Sequence, residues 1–262
     1  MRFIKVFLII CFLISCKKQS HENIKVIGHA GMGLSMQNSI YHDNSFQAVK
    51  LALSYQGSNG VEVDVQMDQN GCLWLYHNDM LQDETNGNGC INDNQTIELE
   101  KVIYKTIQKE KLTKLEQILS LKDSTQNLFL DIRYLNACSN TLIDISVFET
   151  SLTKLGITNL KNVHLIIPNQ NWAIQLSKSY SVYYCSDKFD ESKQFLVENQ
   201  QIQGLIIRNK YVSKSQVNQI ENMDRKVYLY DIRSPKGNRL SLSKFPTGII
   251  TDDIRAALIE RN

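Results

Sequence analysis

Short β-rich runs alternate with longer helical segments along most of this 262-residue chain. Eight runs are rich in β-branched and aromatic residues: 24–29, 61–65, 128–133, 162–167, 181–185, 204–208, 226–230 and 247–251. Most gaps between them carry apolar residues at helical spacing, as at Phe46, Val49 and Leu53. Eight strands joined mainly by helices predict an α/β fold, a (β/α)8 TIM barrel, and the chain length fits it.

The charge balance excludes one class of partner. The chain has 29 basic and 27 acidic residues, a net charge of +2, which provides no field that would hold a polyanion. We therefore expect no nucleic-acid partner. Only three prolines occur, and no repeat or low-complexity tract marks a linker, so one domain is the simpler prediction.

The N-terminus has the features of an export signal. Arg2 and Lys5 precede the apolar run 6–14, which is too short to span a bilayer, and the run ends in the letters LISC. These letters resemble a bacterial lipoprotein cleavage box, in which Cys16 becomes the lipidated first residue. The alternative is an uncleaved apolar N-terminus with a chance cysteine. The expected divisions are a signal peptide at 1–15, a polar tether at 16–23 and the barrel domain at 24–262.

An exported chain can form disulfides. Apart from the N-terminal segment, it has four cysteines, Cys72, Cys90, Cys138 and Cys185, which allow three complete pairings. Cys72 with Cys90 is the favoured bridge, since both border the same loop excursion. Free, buried thiols remain an equal alternative, and the spacings give no zinc signature.

The run VEVDV places two acidic residues within a predicted buried strand. Side chains alternate along a strand, so its three valines share the face toward the helices. Glu62 and Asp64 then share the opposite face and point toward the barrel axis. An exposed strand face with ordinary solvated acids is the alternative interpretation.

The run LFLDIR repeats this arrangement, with Phe129, Asp131 and Arg133 on the inner face. Three acids, Glu62, Asp64 and Asp131, would thus converge at the barrel mouth. Carboxylates crowded in a partly dry site need a proton or a cation. Oxygen ligands in this number suit Mg²⁺ or Ca²⁺ better than zinc.

Two histidines belong to the same end of the predicted barrel. Residues 72–77 follow the second strand after a turn sequence, 68–71, and should fold back as a hairpin that brings His77 across from Glu62. His29 follows the first strand, where barrel enzymes keep catalytic groups. Each histidine alone could equally be structural, and His21, His42 and His164 are given no role. Residues 78–111 are expected to extend over the barrel mouth.

The ordered series VIGHAG, DNSFQAVKLAL, GVEVDVQMDQNGCLWLYHND, TNGNG, KLTKLEQIL, FLDIR and GIITDD resembles the motifs of the glycerophosphodiester phosphodiesterase (GDPD) family. The resemblance implies a TIM barrel with one divalent cation, Ca²⁺ or Mg²⁺, that cleaves glycerophosphodiesters to glycerol 3-phosphate and an alcohol. It implies Glu62, Asp64 and Asp131 as metal ligands and His29 and His77 as the acid/base pair. The substrate hydroxyl would attack phosphorus, so no serine or cysteine nucleophile is required.

Three positions depart from the family pattern. The arginine usual after the first histidine is Ala30 here, the third metal motif is Asp131-x-Arg133, and the late tryptophan motif is replaced near Tyr230. Because a guanidinium binds phosphate in a forked geometry, Arg133 is the candidate phosphate contact, with Arg208 and Arg233 as other candidates.

The sequence therefore predicts an exported, metal-dependent phosphodiesterase anchored through Cys16 to a bacterial membrane, acting on a small-molecule glycerophosphodiester. Two alternatives remain open. One is a surface lipoprotein that binds phosphorylated headgroups without turnover, and Ala30 favours it. The other is a related barrel phospholipase acting on intact lipids. The oligomeric state, the membrane face and the roles of the two histidines stay open.

Overall fold

The computed structural model of the protein describes residues 20–34 and 40–262. The predicted signal peptide, the predicted lipidation site Cys16 and residues 17–19 of the tether lie outside the described residues. From Ser20 onward, the chain enters the first strand after a short turn, in which the Ile24 amide donates to the His21 carbonyl over 2.9 Å.

Eight parallel strands close into a barrel, which confirms the predicted fold class. They are β1 (Lys25–Gly28), β2 (Gly60–Met67), β5 (Asn127–Ile132), β8 (Val163–Ile167), β9 (Val182–Cys185), β10 (Gly204–Arg208), β11 (Lys226–Ile232) and β12 (Gly248–Thr251). The first strand pairs with both β12 and β2, so the sheet has no open edge among these eight strands. The remaining strands are short: β3 (Leu73–Leu75), β4 (Thr113–Lys114), β6 (Leu135–Asn136) and β7 (Thr141–Leu142).

Helices surround the barrel and, with one exception, cover the outer faces of its strands. They are α1 (Phe46–Ser54), α2 (Thr96–Leu99), α3 (Leu115–Ile118), α4 (Ile145–Lys154), α5 (Gln170–Leu176), α6 (Phe189–Glu198), α7 (Lys214–Glu221), α8 (Pro235–Leu242) and α9 (Ile254–Arg261). The exception is α2, which packs within the excursion after β3. Short 3₁₀ turns lie at Leu81–Asp83, Ile91–Asp93, Ile157–Asn159 and Asn209–Tyr211. Within residues 20–34 and 40–262, no helix is both long and apolar enough to cross a membrane.

The two faces of β2 have the predicted contents. Val61, Val63 and Val65 are fully buried in the apolar layer between the strands and the helices. The opposite face points into the barrel, whose interior is filled by a separate cluster that includes Phe129 and Tyr228. Strand alternation therefore decides which side chains of β2 and β5 reach the barrel axis.

The predicted hairpin forms between β2 and β3, but its register differs from the prediction by one residue. Val65 pairs with Leu75, and the Tyr76 amide donates to the Asp64 carbonyl over 3.2 Å. His77 therefore does not lie opposite Glu62 in the ladder. The turn uses more residues than a minimal hairpin loop because the carboxylate of Asp68 accepts bonds from the backbone amides of Asn70 and Cys72.

The excursion after the hairpin has a small apolar core of its own, with Trp74, Tyr76, Leu81, Ile91, Leu99, Val102, Tyr104 and Leu112. It packs beside the barrel mouth rather than covering it, and within the described residues it contributes only Asp79 to the cavity described below. The mouth is lined instead by residues 134–137 and Asn140 of the segment after β5.

The favoured disulfide was wrong. Cys90 bonds to Cys138 with an S–S distance of 2.07 Å, while Cys72 and Cys185 are free. The bridge joins the excursion to the segment after β5. Two hydrogen bonds support the same junction: Ala137 N to Asn92 Oδ1 at 2.8 Å and Asn136 Nδ2 to Asp93 Oδ1 at 3.0 Å.

Candidate active site

A cavity of about 480 Å³ opens at the C-terminal ends of the barrel strands. Its lining includes the acidic residues Glu62, Asp64 and Asp131 and the apolar residues Ile166 and Ile206. This is the end of the barrel at which catalytic groups collect in this fold. Both predicted catalytic histidines, His29 and His77, line the cavity as well.

The three acids converge because of strand register. In the parallel pairing of β2 with β5, Asp64 lies directly beside Asp131, and Glu62 lies two residues earlier on the same face. One carboxylate oxygen from each acid lies within 4.8 Å of the others. Glu62 and Asp64 are 3% and 1% exposed, so the pair is withdrawn from bulk solvent.

The surroundings shift the pKa values of the three acids in different directions. Burial and the charge of Asp64 raise the pKa of Glu62 to about 8. Burial also raises the pKa of Asp131 above its ordinary value. Burial acts in the same direction on Asp64, but the guanidinium of Arg133 and other positive neighbours hold the pKa of Asp64 below its ordinary value. With all three carboxylates ionised, the cluster would therefore have more negative charge than its surroundings stabilise.

The donor set of this cluster fits a hard divalent cation. Oxygens bound to one Ca²⁺ at 2.3–2.6 Å from the ion can be at most about 5 Å apart, and the three carboxylate oxygens meet that limit. All three donors are carboxylates, which favours Ca²⁺ or Mg²⁺ over softer metals. Asn44 orients one of them: its Nδ2 donates to Asp64 Oδ2 at 2.9 Å, and its Oδ1 accepts from the Asp64 amide at 3.0 Å.

His29 is held by a buried carboxylate from the last strand. Asp252 Oδ1 lies 2.6 Å from His29 Nδ1, which leaves Nε2 as the ring nitrogen free for the cavity, 3.7 Å from Glu62 Oε2. The Leu34 amide donates to the same Asp252 oxygen over 3.2 Å. Burial alone would lower the pKa of His29, but the bond to Asp252 and the charge of Glu62 raise it to about 9.

His77 is placed by the hairpin that the sequence predicted. It follows β3 by two residues, and its Nδ1 lies 2.9 Å from Asn78 Oδ1. Gln66, on the inner face of β2, donates through Nε2 to the carbonyls of Tyr76 and Asn78, both at 2.9 Å. These two bonds fix the backbone on either side of His77 and so hold its side chain at the cavity.

Ala30 occupies the position of the missing arginine. It is fully buried, its backbone has a positive φ of 46°, and its amide donates to Glu62 Oε2 at 3.0 Å. The methyl side chain of Ala30 has no charge, so the guanidinium groups of the cavity are those of Arg133, Arg208 and Arg233.

Each of the three arginines has an acidic partner. Arg133 Nη2 donates to Asp64 Oδ1 and lies 3.9 Å from Asp131 Oδ2. On the opposite side of the mouth, Arg208 pairs with Asp187 at 3.2 Å. The third, Arg233, pairs with Asp231 at 2.9 Å and lies 3.8 Å from Asp252 Oδ2. The mouth thus offers guanidinium groups on two sides of the acidic cluster.

Sequence reasoning gave no role to three residues that orient the site: Asn44, Gln66 and Asp252. All three lie within quoted motifs, in DNSF, VEVDVQ and ITDD. The inward direction of Gln66 could have been predicted from the sequence, since Gln66 continues the alternation of Glu62 and Asp64 on β2. For Asn44 and Asp252 only the closed barrel shows which side chain each one meets.

Comparison with protein families gives one match that covers most of the chain. Residues 29–256 match the model of the Glycerophosphoryl diester phosphodiesterase family. A search of curated proteins gives no match.

Solved structures share the fold at low sequence identity. A protein of Agrobacterium tumefaciens with a provisional glycerophosphoryl diester phosphodiesterase assignment is similar with a TM-score of 0.77 and 12% identity, over 91% of this chain and 97% of that one. A phosphodiesterase of Oleispira antarctica, in complex with the product sn-glycerol-3-phosphate, is similar with a TM-score of 0.73 and 20% identity, over 92% and 99%. A glycerophosphoryl diester phosphodiesterase of Parabacteroides distasonis has a TM-score of 0.70 and 16% identity, over 90% and 85%.

Proposed function

Because the chain belongs to the glycerophosphoryl diester phosphodiesterase family, we propose that it hydrolyses glycerophosphodiesters to glycerol 3-phosphate and an alcohol. The observation that carries this proposal is the presence of two histidines and three carboxylates on one cavity. The Oleispira antarctica phosphodiesterase, which shares the fold, was solved with sn-glycerol-3-phosphate as its product, and this supports the same product here.

In the proposed reaction, His29 and His77 exchange protons with the substrate. One imidazole takes the proton of the glycerol hydroxyl next to the phosphate, and that oxygen attacks phosphorus. The bond from phosphorus to the alcohol oxygen breaks, and the other imidazole gives that oxygen a proton. Water then opens the cyclic phosphate with the two roles exchanged. The role of each histidine stays open in this scheme.

Glu62, Asp64 and Asp131 are the proposed ligands of one divalent cation, Ca²⁺ or Mg²⁺. When bound, such a cation neutralises charge that gathers on the phosphate oxygens. The chain's own contribution is to hold the three carboxylates at fixed register on β2 and β5, and to exclude water from Glu62 and Asp64 by burying them. Asn44 keeps the Asp64 carboxylate in one orientation through two hydrogen bonds.

Arg133 is the proposed phosphate contact in place of the arginine absent at position 30. Its guanidinium already lies beside Asp64 and Asp131, so a phosphate oxygen bound near these acids is within its reach. Arg208 and Arg233 are further from the acids and are the alternatives. We also propose that the protein is exported and anchored to a bacterial membrane through Cys16.

One observation favours a second function. Ala30 removes a positive charge from the corner of the cavity beside His29, which would suit a surface lipoprotein that binds phosphorylated headgroups without turnover. The intact histidine pair favours the enzyme, because binding alone does not require two proton-transfer groups.

Incubation of the protein with glycerophosphocholine and Ca²⁺ or Mg²⁺ separates the two functions. Catalysis predicts release of glycerol 3-phosphate that stops with a chelator and falls by about 10²–10⁴-fold in His29→Ala and in His77→Ala. His21→Ala is the matched control, since His21 stacks on Phe245 at the other end of the barrel. Tight binding without product would refute the enzyme and support the binding protein.

A further inference from the structure

The chain enters the barrel at the end opposite the cavity. The Lys25 amide, at the start of β1, donates to the carbonyl of Thr247 at 3.0 Å, and Thr247 directly precedes β12. This bond places the start of β1 beside the start of β12. His21 packs at the same end, with its ring 4.8 Å from that of Phe245. Ser20, the first described residue, therefore emerges at the N-terminal ends of the strands.

A lipid anchor at Cys16 would lie close to that end. Ser20 lies four positions after Cys16, and a fully extended chain spans roughly 14 Å over those four steps. A compact domain of this size has a radius of gyration of about 18 Å and is more than about 40 Å across. The tether is thus too short to pass around the domain and bring the cavity mouth against the bilayer.

The loops that lead into the barrel strands, together with the first residues of β1 and β11, form a basic surface. We call this surface the basic face; its members are Lys25, Lys122, Lys161, Lys178, Arg225 and Lys226. Three acidic residues lie in the same loops: Glu22, Asp123 and Asp224. Lys244 also lies in one of these loops but is not a member, because its Nζ reaches toward Asn209, which directly follows β10, and donates to its Oδ1 at 2.6 Å.

This excess of positive charge is local. The last turns of α4 to α9 are balanced, with three basic residues and three acidic ones. Residues 20–262 as a whole are slightly acidic, with 25 basic and 27 acidic residues. Without the six basic and three acidic residues counted above, residues 20–262 have 19 basic and 24 acidic residues, so the basic face differs in sign from the average of the rest of the domain and matches a negative surface.

Contacts at the start of β5 support this grouping: Lys25 Nζ donates to Asn127 Oδ1 at 3.4 Å, and His164 Nε2 lies 3.1 Å from the same oxygen. Burial, and then the nearby charges of Lys226, Lys25 and Lys122, lower the pKa of His164 to about 3. Lys122 Nζ also donates to the Lys161 carbonyl at 2.9 Å. Three members of the face, Lys161, Lys178 and Lys226, are solvent-exposed.

We propose that the basic face lies on the anionic lipid surface to which the chain is anchored, so that the cavity opens away from the bilayer. The basic pair Lys17 and Lys18, next to the anchor, adds to the same attraction. The proposal concerns the orientation of the domain on the bilayer and goes beyond the proposed function.

Lysine footprinting of the full, lipidated protein in vesicles tests the orientation. An amine-reactive reagent is applied to protein in phosphatidylglycerol vesicles, in phosphatidylcholine vesicles and in detergent. We expect Lys161, Lys178 and Lys226 to lose reactivity at least about fivefold in phosphatidylglycerol vesicles, because the bilayer shields lysines that lie against it, and to recover it in 0.5 M salt, which screens the attraction that holds them there.

Three exposed lysines at the mouth end are the matched control: Lys188, Lys210 and Lys236. They should label equally in all three preparations. Equal labelling of both sets in every preparation would overturn the proposal, and so would protection of the mouth set. A protein that does not remain with vesicles would overturn it as well, since the short tether is part of the argument.

Hydrolysis by the same vesicle-bound protein tests the substrate class. We expect turnover of added glycerophosphoglycerol and none of the phosphatidylglycerol in the surrounding bilayer. Release of glycerol 3-phosphate-containing products from the bilayer lipid would refute the proposed substrate class. Turnover of neither compound would refute the proposed function, while the footprint would still decide the orientation.

Discussion

Asp252 Oδ1 lies 2.6 Å from His29 Nδ1, and the carboxylate is 2% exposed. Asp252 directly follows β12 and His29 directly follows β1, and these two strands pair in the closed barrel. This bond selects the ring nitrogen that faces the cavity, because Nδ1 is occupied and Nε2 remains. Asp252 is thus a positioning residue that acts through His29.

Asp252→Asn should lower kcat/KM for a glycerophosphodiester by about 10²–10³-fold, because His29 loses both its orientation and a charge that favours its protonated form. In a double-mutant cycle with His29→Ala, the two effects should be strongly non-additive. The control is Asp253→Asn, since asparagine can still cap α9 as Asp253 does. Additive effects would mean that Asp252 acts independently of His29.

The acidic cluster predicts a requirement for a cation. Asp64→Asn and Asp131→Asn each remove one negative donor, and we expect each to raise the Ca²⁺ or Mg²⁺ concentration needed for half-maximal activity by about tenfold or more. Calcium-dependent thermal stabilisation of the wild-type protein should weaken in parallel. Asp79→Asn, which alters an exposed carboxylate at the mouth, is the control. An unchanged cation dependence in both variants would contradict the assignment.

Arg133 can be tested through binding of the substrate. Arg133→Gln removes the charge nearest the acidic cluster, and we expect KM to rise by about 10–100-fold, since a charge-assisted bond to phosphate is lost. Arg133→Lys should recover part of that loss, because charge is kept without the forked geometry. Arg239→Gln, which breaks the outer pair with Glu260, should leave KM unchanged. If Arg133→Gln behaves like that control, Arg208 or Arg233 is the phosphate contact.

The barrel and the inward direction of its acids follow from two short-range rules. Period-2 alternation in VEVDV and LFLDIR placed Glu62, Asp64 and Asp131 on one face, and the β-rich runs gave all eight barrel strands. Both rules depend only on residues close together in sequence. The hairpin was found for the same reason, but its register was off by one, because the Asp68 side chain reshapes the turn.

The features that sequence missed depend on where distant loops meet. Cys90 and Cys138 are 48 residues apart, and only the packing of the excursion against the segment after β5 brings them together. Likewise, Asn44 lies two residues before α1 and meets Asp64 of β2, which is 20 residues away in sequence. No periodicity or spacing in a single sequence encodes such contacts, which is why three disulfide pairings remained open.

The disulfide should affect substrate binding more than chemistry. Cys90→Ser or Cys138→Ser frees residues 134–140, which line the mouth, while the acids and histidines stay in place. We expect a severalfold rise in KM with little change in kcat, and a loss of up to about 4 kcal/mol in the free energy of unfolding for a loop of this length. Urea unfolding and steady-state kinetics measure both, and Cys72→Ser is the control. A kcat loss as large as that of His29→Ala would contradict this view.

A histidine that does not line the cavity predicts how the free energy of unfolding depends on pH. His42, which sequence analysis gave no role, lies between two carboxylates: its Nε2 is 3.3 Å from Glu84 Oε2, and its Nδ1 is 3.4 Å from Asp43 Oδ1. Its ring stacks on Tyr104 with centroids 3.8 Å apart, and its amide donates to Glu110 Oε1 at 2.8 Å. Burial alone would lower the pKa of His42, but the bonds to Asp43 and Glu84 raise it to about 10.

Because the folded protein binds this proton more tightly than the unfolded chain, whose histidine has a pKa near 6.5, the stabilisation is complete below about pH 6.5 and is lost as pH rises toward 10. The effect is on the order of a few kcal/mol. Urea unfolding at pH 6, 8 and 10 should show a fall in the free energy of unfolding that is smaller in His42→Gln. His29 titrates in the same direction, so the difference between the two proteins is the quantity that reports on His42. His21→Gln is the control and should show the pH dependence of the wild type. If the free energy of unfolding of His42→Gln has the same pH slope as that of the wild type, the charged imidazole does not hold the excursion to the barrel.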